Sequence, residues 1–143
     1  MTTVSLTLDE IFDLAKKTLL ANGCDDETAS ILSDLIRNAE RDGSVSHGLF
    51  RLPAYVSGLK SGKINGKGKP EVKKISPSVI KVQGKNSLAP VVLNKSLPEL
   101  SKTAKENGVA VLAINNSHHM AAMWPETEKL AEDGLVAFAC TSY

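Results

Sequence analysis

Residues 44–53 read SVSHGLFRLP and hold three side chains whose types and spacing could do chemistry: Ser46, His47 and Arg51. Histidine is the one side chain whose ordinary pKa lets it both give and take a proton near neutrality. Arginine presents a planar fork that matches a carboxylate. With Ser46 as the cap of a helix, His47 lies in the first turn and Arg51, four residues on, shares its face. A substrate carboxylate on the Arg51 fork would then leave His47 facing the oxygen or nitrogen of the adjacent carbon. Spacing alone also allows a plain solvated His–Arg face, which is the commoner outcome for such a pair. A second group is His118 and His119, after the apolar run 109–114 and the polar stretch Asn115-Asn116-Ser117. Ligands bind in loops at the carboxyl ends of strands in α/β sheets, and a helix N-terminus there offers N–H groups to an anion. A loop that merely caps the helix is the bland alternative. For Trp124, a core anchor is as good a reading as a stacking role.

Several chemistries have no support. There is no G-x-G-x-x-G after a strand, no G-x-x-x-x-G-K-[ST] and no G-x-S-x-G elbow. Ser46 beside His47 does not make a triad, because adjacent side chains diverge and no acid is placed to orient the ring. The three histidines have no cysteine or carboxylate at ligand spacing, so no metal is expected.

These residues must be held by local elements. Thr7 with Glu10 three residues later is a capping box, and Ile11, Leu14, Ala15 and Leu19 follow at helical spacing until Asn22-Gly23. Asp25 or Asp26 caps a second helix with the face Ala29, Leu32, Leu35, Ile36 and Ala39, ending at Asp42-Gly43. A third helix, capped by Ser46, buries Leu49, Leu52, Val56 and Leu59 and closes at Ser61-Gly62; Pro53 lies beyond the ideal first position, so its start is expected to be irregular. Residues 62–70 read as a flexible, solvated turn. Strands are expected at 72–75 and 79–82, a helix at 89–106 stopped by Asn107-Gly108, and a strand buried on both faces at 109–114. A loop at 115–118, a helix at 120–133 and an apolar strand at 135–139 complete the pattern. The class is α/β (α+β): a helical part at 1–70, then alternating strands and helices at 71–143. A chain stopping just after a strand suggests that more chain belongs here.

Composition sets the outer limits. The 143 residues are 42% hydrophobic and 23% charged, a globular balance, and the formal net charge is +1. That charge gives no electrostatic case for nucleic acid or an anionic membrane surface. No apolar run approaches the roughly 20 residues of a spanning helix, and no secretory signal is visible. The two cysteines form no CxxC pair; reduced thiols in a cytoplasmic protein are the simplest account, with Cys140 as a small core residue.

RDGSVSHGLFRLPAYVSGLKSGKIN, residues 41–65, strongly resembles the hallmark segment of the type 2 malate/L-lactate dehydrogenase family, which uses nicotinamide cofactors without a Rossmann fold. NNSHHMAAMW, residues 115–124, resembles the form found in its Δ1-piperideine-2-carboxylate/Δ1-pyrroline-2-carboxylate reductase branch. The resemblance runs over essentially the whole chain. It implies that Ser46 polarises His47, that His47 donates a proton to a keto or imine group, and that Arg51 grips the substrate carboxylate. It further implies that His118, His119, Met120, Ala121, Ala122 and Met123 line a site for NADPH or NADH. The partner would be a small cyclic 2-imino acid or a 2-keto acid, and the assembly a homodimer whose sites draw on both subunits. A malate/L-lactate type of 2-hydroxy acid dehydrogenase is the alternative within the class. Family members are more than twice as long, so the chain is expected to be an N-terminal part. The aspartate that completes the relay in the imino-acid branch has no counterpart here. An inactive fragment that only binds ligand or a sister subunit is the reading from a different class.

Overall fold

A computed structural model describes residues 4–118 and 121–141. The chain divides into two compact units, Met1–Lys67 and Gly68–Tyr143.

The first unit is helical. Helix α1 (Leu8–Ala21) starts at the expected capping box: the Thr7 side chain accepts from the Glu10 N–H, and the Glu10 carboxylate accepts from the Thr7 N–H at 2.8 Å. These bonds hold the Glu10 carboxyl below its ordinary pKa, the bond from the Thr7 backbone contributing most. Helix α2 (Asp26–Arg41) is capped by Asp25, which accepts from the Thr28 N–H at 2.9 Å. The buried faces are Ile11, Ala15 and Leu19 on α1 and Ala29, Leu32, Ile36 and Ala39 on α2. Leu14, expected inside, is exposed, and Leu35 is half-buried. Helix α3 (Leu52–Lys60) buries Leu52 and, fully, Tyr55, rather than the whole expected stripe. The turn after α3 is not a loose solvated loop. Ile64 and Gly66 are buried, and the Gly66 carbonyl accepts the Asp25 N–H at 3.0 Å. Gly66 is required there, because an added Cβ would sit 2.9 Å from the Gly23 carbonyl oxygen.

The second unit is a three-stranded sheet in the order β1-β2-β3 with helices. Strand β1 (Glu71–Ser76) pairs antiparallel with β2 (Val79–Leu88) through a tight turn in which Ser76 faces Val79. Helix α4 (Ala89–Asn107) then leads to β3 (Val111–His118), which pairs parallel with β2. Gly108 ends α4 with φ +79°, the left-handed conformation glycine adopts without strain. Ile80, Val82 and Val92 form the core, with Leu100, Leu112 and Ile114 packed against it. Helix α5 (Trp124–Glu132) follows.

Several expectations are corrected in this unit. Strand β2 continues past residue 82 to Leu88, and β3 continues through 115–118, where a loop was expected. Each strand extends the other: Gln83 faces Asn115, Ser87 faces Ser117 and Leu88 faces His118, across an irregularity at which Lys85 and Asn86 take positive φ. Strand β3 is not buried on both faces. Leu112 and Ile114 turn toward the core, whereas Val111 is exposed, because β3 has β2 as its sheet neighbour and α4 packs on the sheet. Helix α5 begins at Trp124 rather than at 120; Pro125 sits in its first turn, where its missing N–H does no harm. Residues 135–139 form no strand: Val136 and Phe138 are fully exposed and make no ladder. Cys140 is likewise exposed rather than a core residue.

Candidate active site

The segment between α2 and α3 is two short 3-10 turns, Val45–His47 and Leu49–Arg51, joined at Gly48. This corrects the expected helix start. Residue 44, not Ser46, precedes the first turn, and it makes no side-chain cap. Pro53 is the reason that the α-helix waits until Leu52: it has no N–H for the Leu49 carbonyl, and its ring would collide with that carbonyl. The backbone closes with His47 N–H to Ser44 O at 2.8 Å and Arg51 N–H to Gly48 O at 3.0 Å, the short-range pattern of a 3-10 helix.

His47 is half-buried, and its Nδ1 meets two hydroxyls: Ser46 Oγ at 2.9 Å and Ser44 Oγ at 3.2 Å. A hydroxyl donating to Nδ1 leaves the proton of the neutral ring on Nε2, so the ring can present a donor on its opposite side. Ser44 was not among the residues singled out from the sequence. Its signal was the spacing: three residues per turn put residue 44 under residue 47 in a 3-10 turn, though not in the helix expected there.

Arg51 is half-buried, and its Nε donates to the Ser46 carbonyl at 2.9 Å. Ser46 therefore touches both groups, the imidazole through its hydroxyl and the guanidinium through its backbone. This, rather than a shared α-helical face, brings His47 and Arg51 together. The Nε bond leaves the two terminal nitrogens as the fork for an anion. Tyr55, one turn into α3, is fully buried. Burial pushes its phenol up to about 12, a rise partly offset by the Arg51 charge. Tyr55 is thus a neutral wall rather than an acid or base near pH 7. Neither Tyr55 nor the Glu40 carboxylate, which accepts the Leu49 N–H at 2.7 Å, was marked by sequence reasoning; a tyrosine at helical spacing and an acid on α2 look ordinary in the sequence.

In the second unit, His118 ends β3 and is half-buried; Ala122 is buried, and Ala121 and Met123 are half-buried. His119 and Met120 lie outside the described residues. His118 thus ends a strand rather than opening a helix. Among the described residues no group of histidine, cysteine and acidic side chains could hold a metal ion.

The chain thus carries a turn that presents an imidazole and a guanidinium, followed in sequence by a mixed three-stranded sheet. The malate/L-lactate dehydrogenase family pattern matches residues 6–143, and the chain belongs to that family. It is 39% identical over 137 residues to a Δ1-pyrroline-2-carboxylate/Δ1-piperideine-2-carboxylate reductase of Pseudomonas syringae pv. tomato, covering 96% of this chain and 40% of the relative. A Pseudomonas putida protein of the same name is 38% identical over 138 residues, with the same coverage. The crystal structure of the Δ1-piperideine-2-carboxylate reductase from Pseudomonas syringae superposes with a TM-score of 0.88 at 38% identity, covering 92% of this chain and 40% of that one. Malate dehydrogenase from Pyrococcus horikoshii OT3 gives 0.84 at 30% identity, covering 92% and 38%. The chain therefore spans about 40% of the length of the curated relatives it matches.

Proposed function

We propose that this chain carries the substrate-binding and proton-donating part of a nicotinamide-dependent reductase acting on a small 2-imino acid, with a cyclic imino acid as the natural substrate. The observation that carries the reading is the bridge made by Ser46, whose hydroxyl contacts His47 Nδ1 at 2.9 Å while its carbonyl holds Arg51 Nε at 2.9 Å. The relatives named for pyrroline- and piperideine-carboxylate reduction favour an imine over a keto acid.

The Arg51 fork takes the substrate carboxylate and so fixes the α-carbon. The imidazole of His47, with the Ser44 and Ser46 hydroxyls on Nδ1, holds a proton at Nε2 for the substrate nitrogen. Charge builds on that nitrogen as the α-carbon is reduced, and a positioned acid lowers such a barrier by roughly 10²–10⁴-fold in rate.

The residues of the second unit fit a nicotinamide cofactor in one respect. The Ser87 hydroxyl is buried without a hydrogen-bond partner, one residue before Leu88, whose register partner is His118. An orphaned polar atom at the carboxyl ends of two parallel strands is what a polar ligand there would satisfy. Ser87 and His118 would hold the cofactor's polar part, and Ala121, Ala122 and Met123, with His119 and Met120 from the sequence, its apolar part. When bound, the cofactor supplies hydride, from either NADPH or NADH.

A 2-hydroxy acid dehydrogenase of the malate/L-lactate kind is the second reading, favoured by the family's description and by the Pyrococcus horikoshii neighbour. Incubation with NADPH or NADH and Δ1-piperideine-2-carboxylate, then with pyruvate and oxaloacetate, separates them. Turnover of the imine alone carries the first reading and turnover of a keto acid the second. No turnover of any acid, with ligand binding intact, leaves a binding module. The proposal includes a homodimer of the full-length protein in the cytoplasm; light scattering of the full-length protein giving a single-chain mass would remove the dimer. Among the described residues no helix is long and apolar enough to cross a membrane.

A further inference from the structure

Glu40 belongs to the last turn of α2, outside the segment that carries His47 and Arg51. Its Oε1 accepts the Leu49 N–H at 2.7 Å, a part-buried bond across nine residues of chain. Leu49 opens the second 3-10 turn, and Gly48 links that turn to the first. Gly48 is buried, and the Glu40 side chain crowds it. A Cβ on Gly48 would lie 2.1 Å from Glu40 Oε1, 2.5 Å from Cδ and 2.8 Å from Cγ. The Glu40 side chain fills the space a Gly48 Cβ would take while it holds the next N–H. The bond and the close approach together put one carboxylate at the joint between the turn that ends in His47 and the turn that ends in Arg51.

We propose that Glu40 is a positioning residue: it locks the Gly48–Leu49 peptide in one orientation and thereby sets the imidazole against the guanidinium. The role rests on the reading of His47 as proton donor and Arg51 as carboxylate fork. Glu40 touches no reacting atom. A substrate in which the carboxylate and the proton-accepting atom sit on neighbouring carbons needs a fixed separation between the two side chains. Two successive 3-10 turns, each with few backbone bonds, do not hold that separation by themselves. A carboxylate acceptor makes a stronger bond to a backbone N–H than a neutral one does, and its loss leaves a part-buried donor unpaired.

The test uses the full chain with ¹⁵N-labelled histidine and with uniform ¹⁵N labelling, in wild type, Glu40→Ala, Glu40→Gln and Gly48→Ala. The His47 signals are identified by their loss in His47→Asn. In Glu40→Ala and Gly48→Ala the Leu49 amide should exchange about tenfold faster or more, and the His47 ring nitrogens should shift, while α1 amides are unchanged. Glu40→Gln keeps an oxygen acceptor and should restore both signals toward wild type. If Glu40→Ala fails to fold, Gly48→Ala, which adds one methyl group and displaces only the end of a flexible side chain, reads the same signals. Unchanged Leu49 exchange and unchanged His47 signals in the folded variants overturn the proposal, as does a Glu40→Gln protein as perturbed as Glu40→Ala. Imine turnover measured in parallel should show kcat falling and KM for the acid rising together in Gly48→Ala, because both groups move. A wild-type chain that binds no planar ring acid yet shows the predicted His47 and Leu49 changes refutes the functional reading and leaves the clamp standing.

Discussion

Replacing Arg51 by methionine keeps the length and apolar body of the side chain and removes the fork. In the folded chain Arg51 Nε is already engaged with the Ser46 carbonyl at 2.9 Å, so the loss divides into two parts. The carbonyl bond is exposed and is worth at most about 1 kcal/mol, a fall in Tm of roughly 3–5 °C. The two terminal nitrogens are the part that matters for a ligand. A charge-assisted pair to a carboxylate contributes about 2–3 kcal/mol after discount for the partial exposure of Arg51, which is roughly a 30- to 150-fold weaker Kd. Calorimetric titration of the folded chain with a planar, non-reducible ring acid such as pyrrole-2-carboxylate reads this directly, without need of turnover. Arg51→Lys should fall between the two, since an ammonium keeps the charge and loses both the Nε bond and the fork. A Kd for Arg51→Met within threefold of wild type would mean that the acid is held by other groups. Weakening confined to a mutant that has lost its cooperative melt would mean that Arg51 serves the fold alone.

The remaining predictions address the acid, the core and the two thiols. His47→Ala should abolish reduction of the imine while cofactor affinity, followed by nicotinamide fluorescence, stays within about threefold; equal activity in mutant and wild type removes His47 from the chemistry. Tyr55 has a folded-state pKa of about 12 against an ordinary 10.0, so its contribution to stability is complete below pH 10 and is lost as pH rises through 12. Urea melts of wild type and Tyr55→Phe at pH 9 and pH 11 should therefore converge by about 1 kcal/mol, and parallel pH slopes would count against the burial argument. Leu32 is fully buried in α2, and Leu32→Ala should cost about 2–5 kcal/mol in urea unfolding. Cys24 is buried, with its thiol pushed up to about 11 by burial first and the Asp25 charge second, whereas Cys140 is exposed. Ellman's reagent should accordingly modify Cys140 quickly and Cys24 only on denaturation, and equal rates would contradict the packing of the α1–α2 turn.

The start of α1 was legible because a capping box closes within four residues: Thr7 and Glu10 satisfy each other without any distant partner. The same holds for the Asp25 cap of α2 and for the stop of α4 at Gly108. His47 and Arg51 were legible as side-chain types suited to proton transfer and carboxylate binding, although their spacing alone favoured a solvated face. Their arrangement was not. Helical periodicity cannot tell an α-turn from a 3-10 turn over seven residues, and it is the 3-10 geometry that puts Ser44 under His47 and returns Arg51 to the Ser46 carbonyl. Strand β3 at 115–118 was read as a loop because Asn115, Asn116 and Ser117 have weak strand preference; pairing with a segment some thirty residues earlier overrides that preference. The Glu40–Leu49 bond and the fully buried Tyr55 belong to the same kind of decision. Short-range caps and the residue types were thus written in the chain itself. The relative placement of imidazole, guanidinium and supporting carboxylate came only from tertiary structure, because contacts between separate segments depend on what the whole fold buries and not on local sequence.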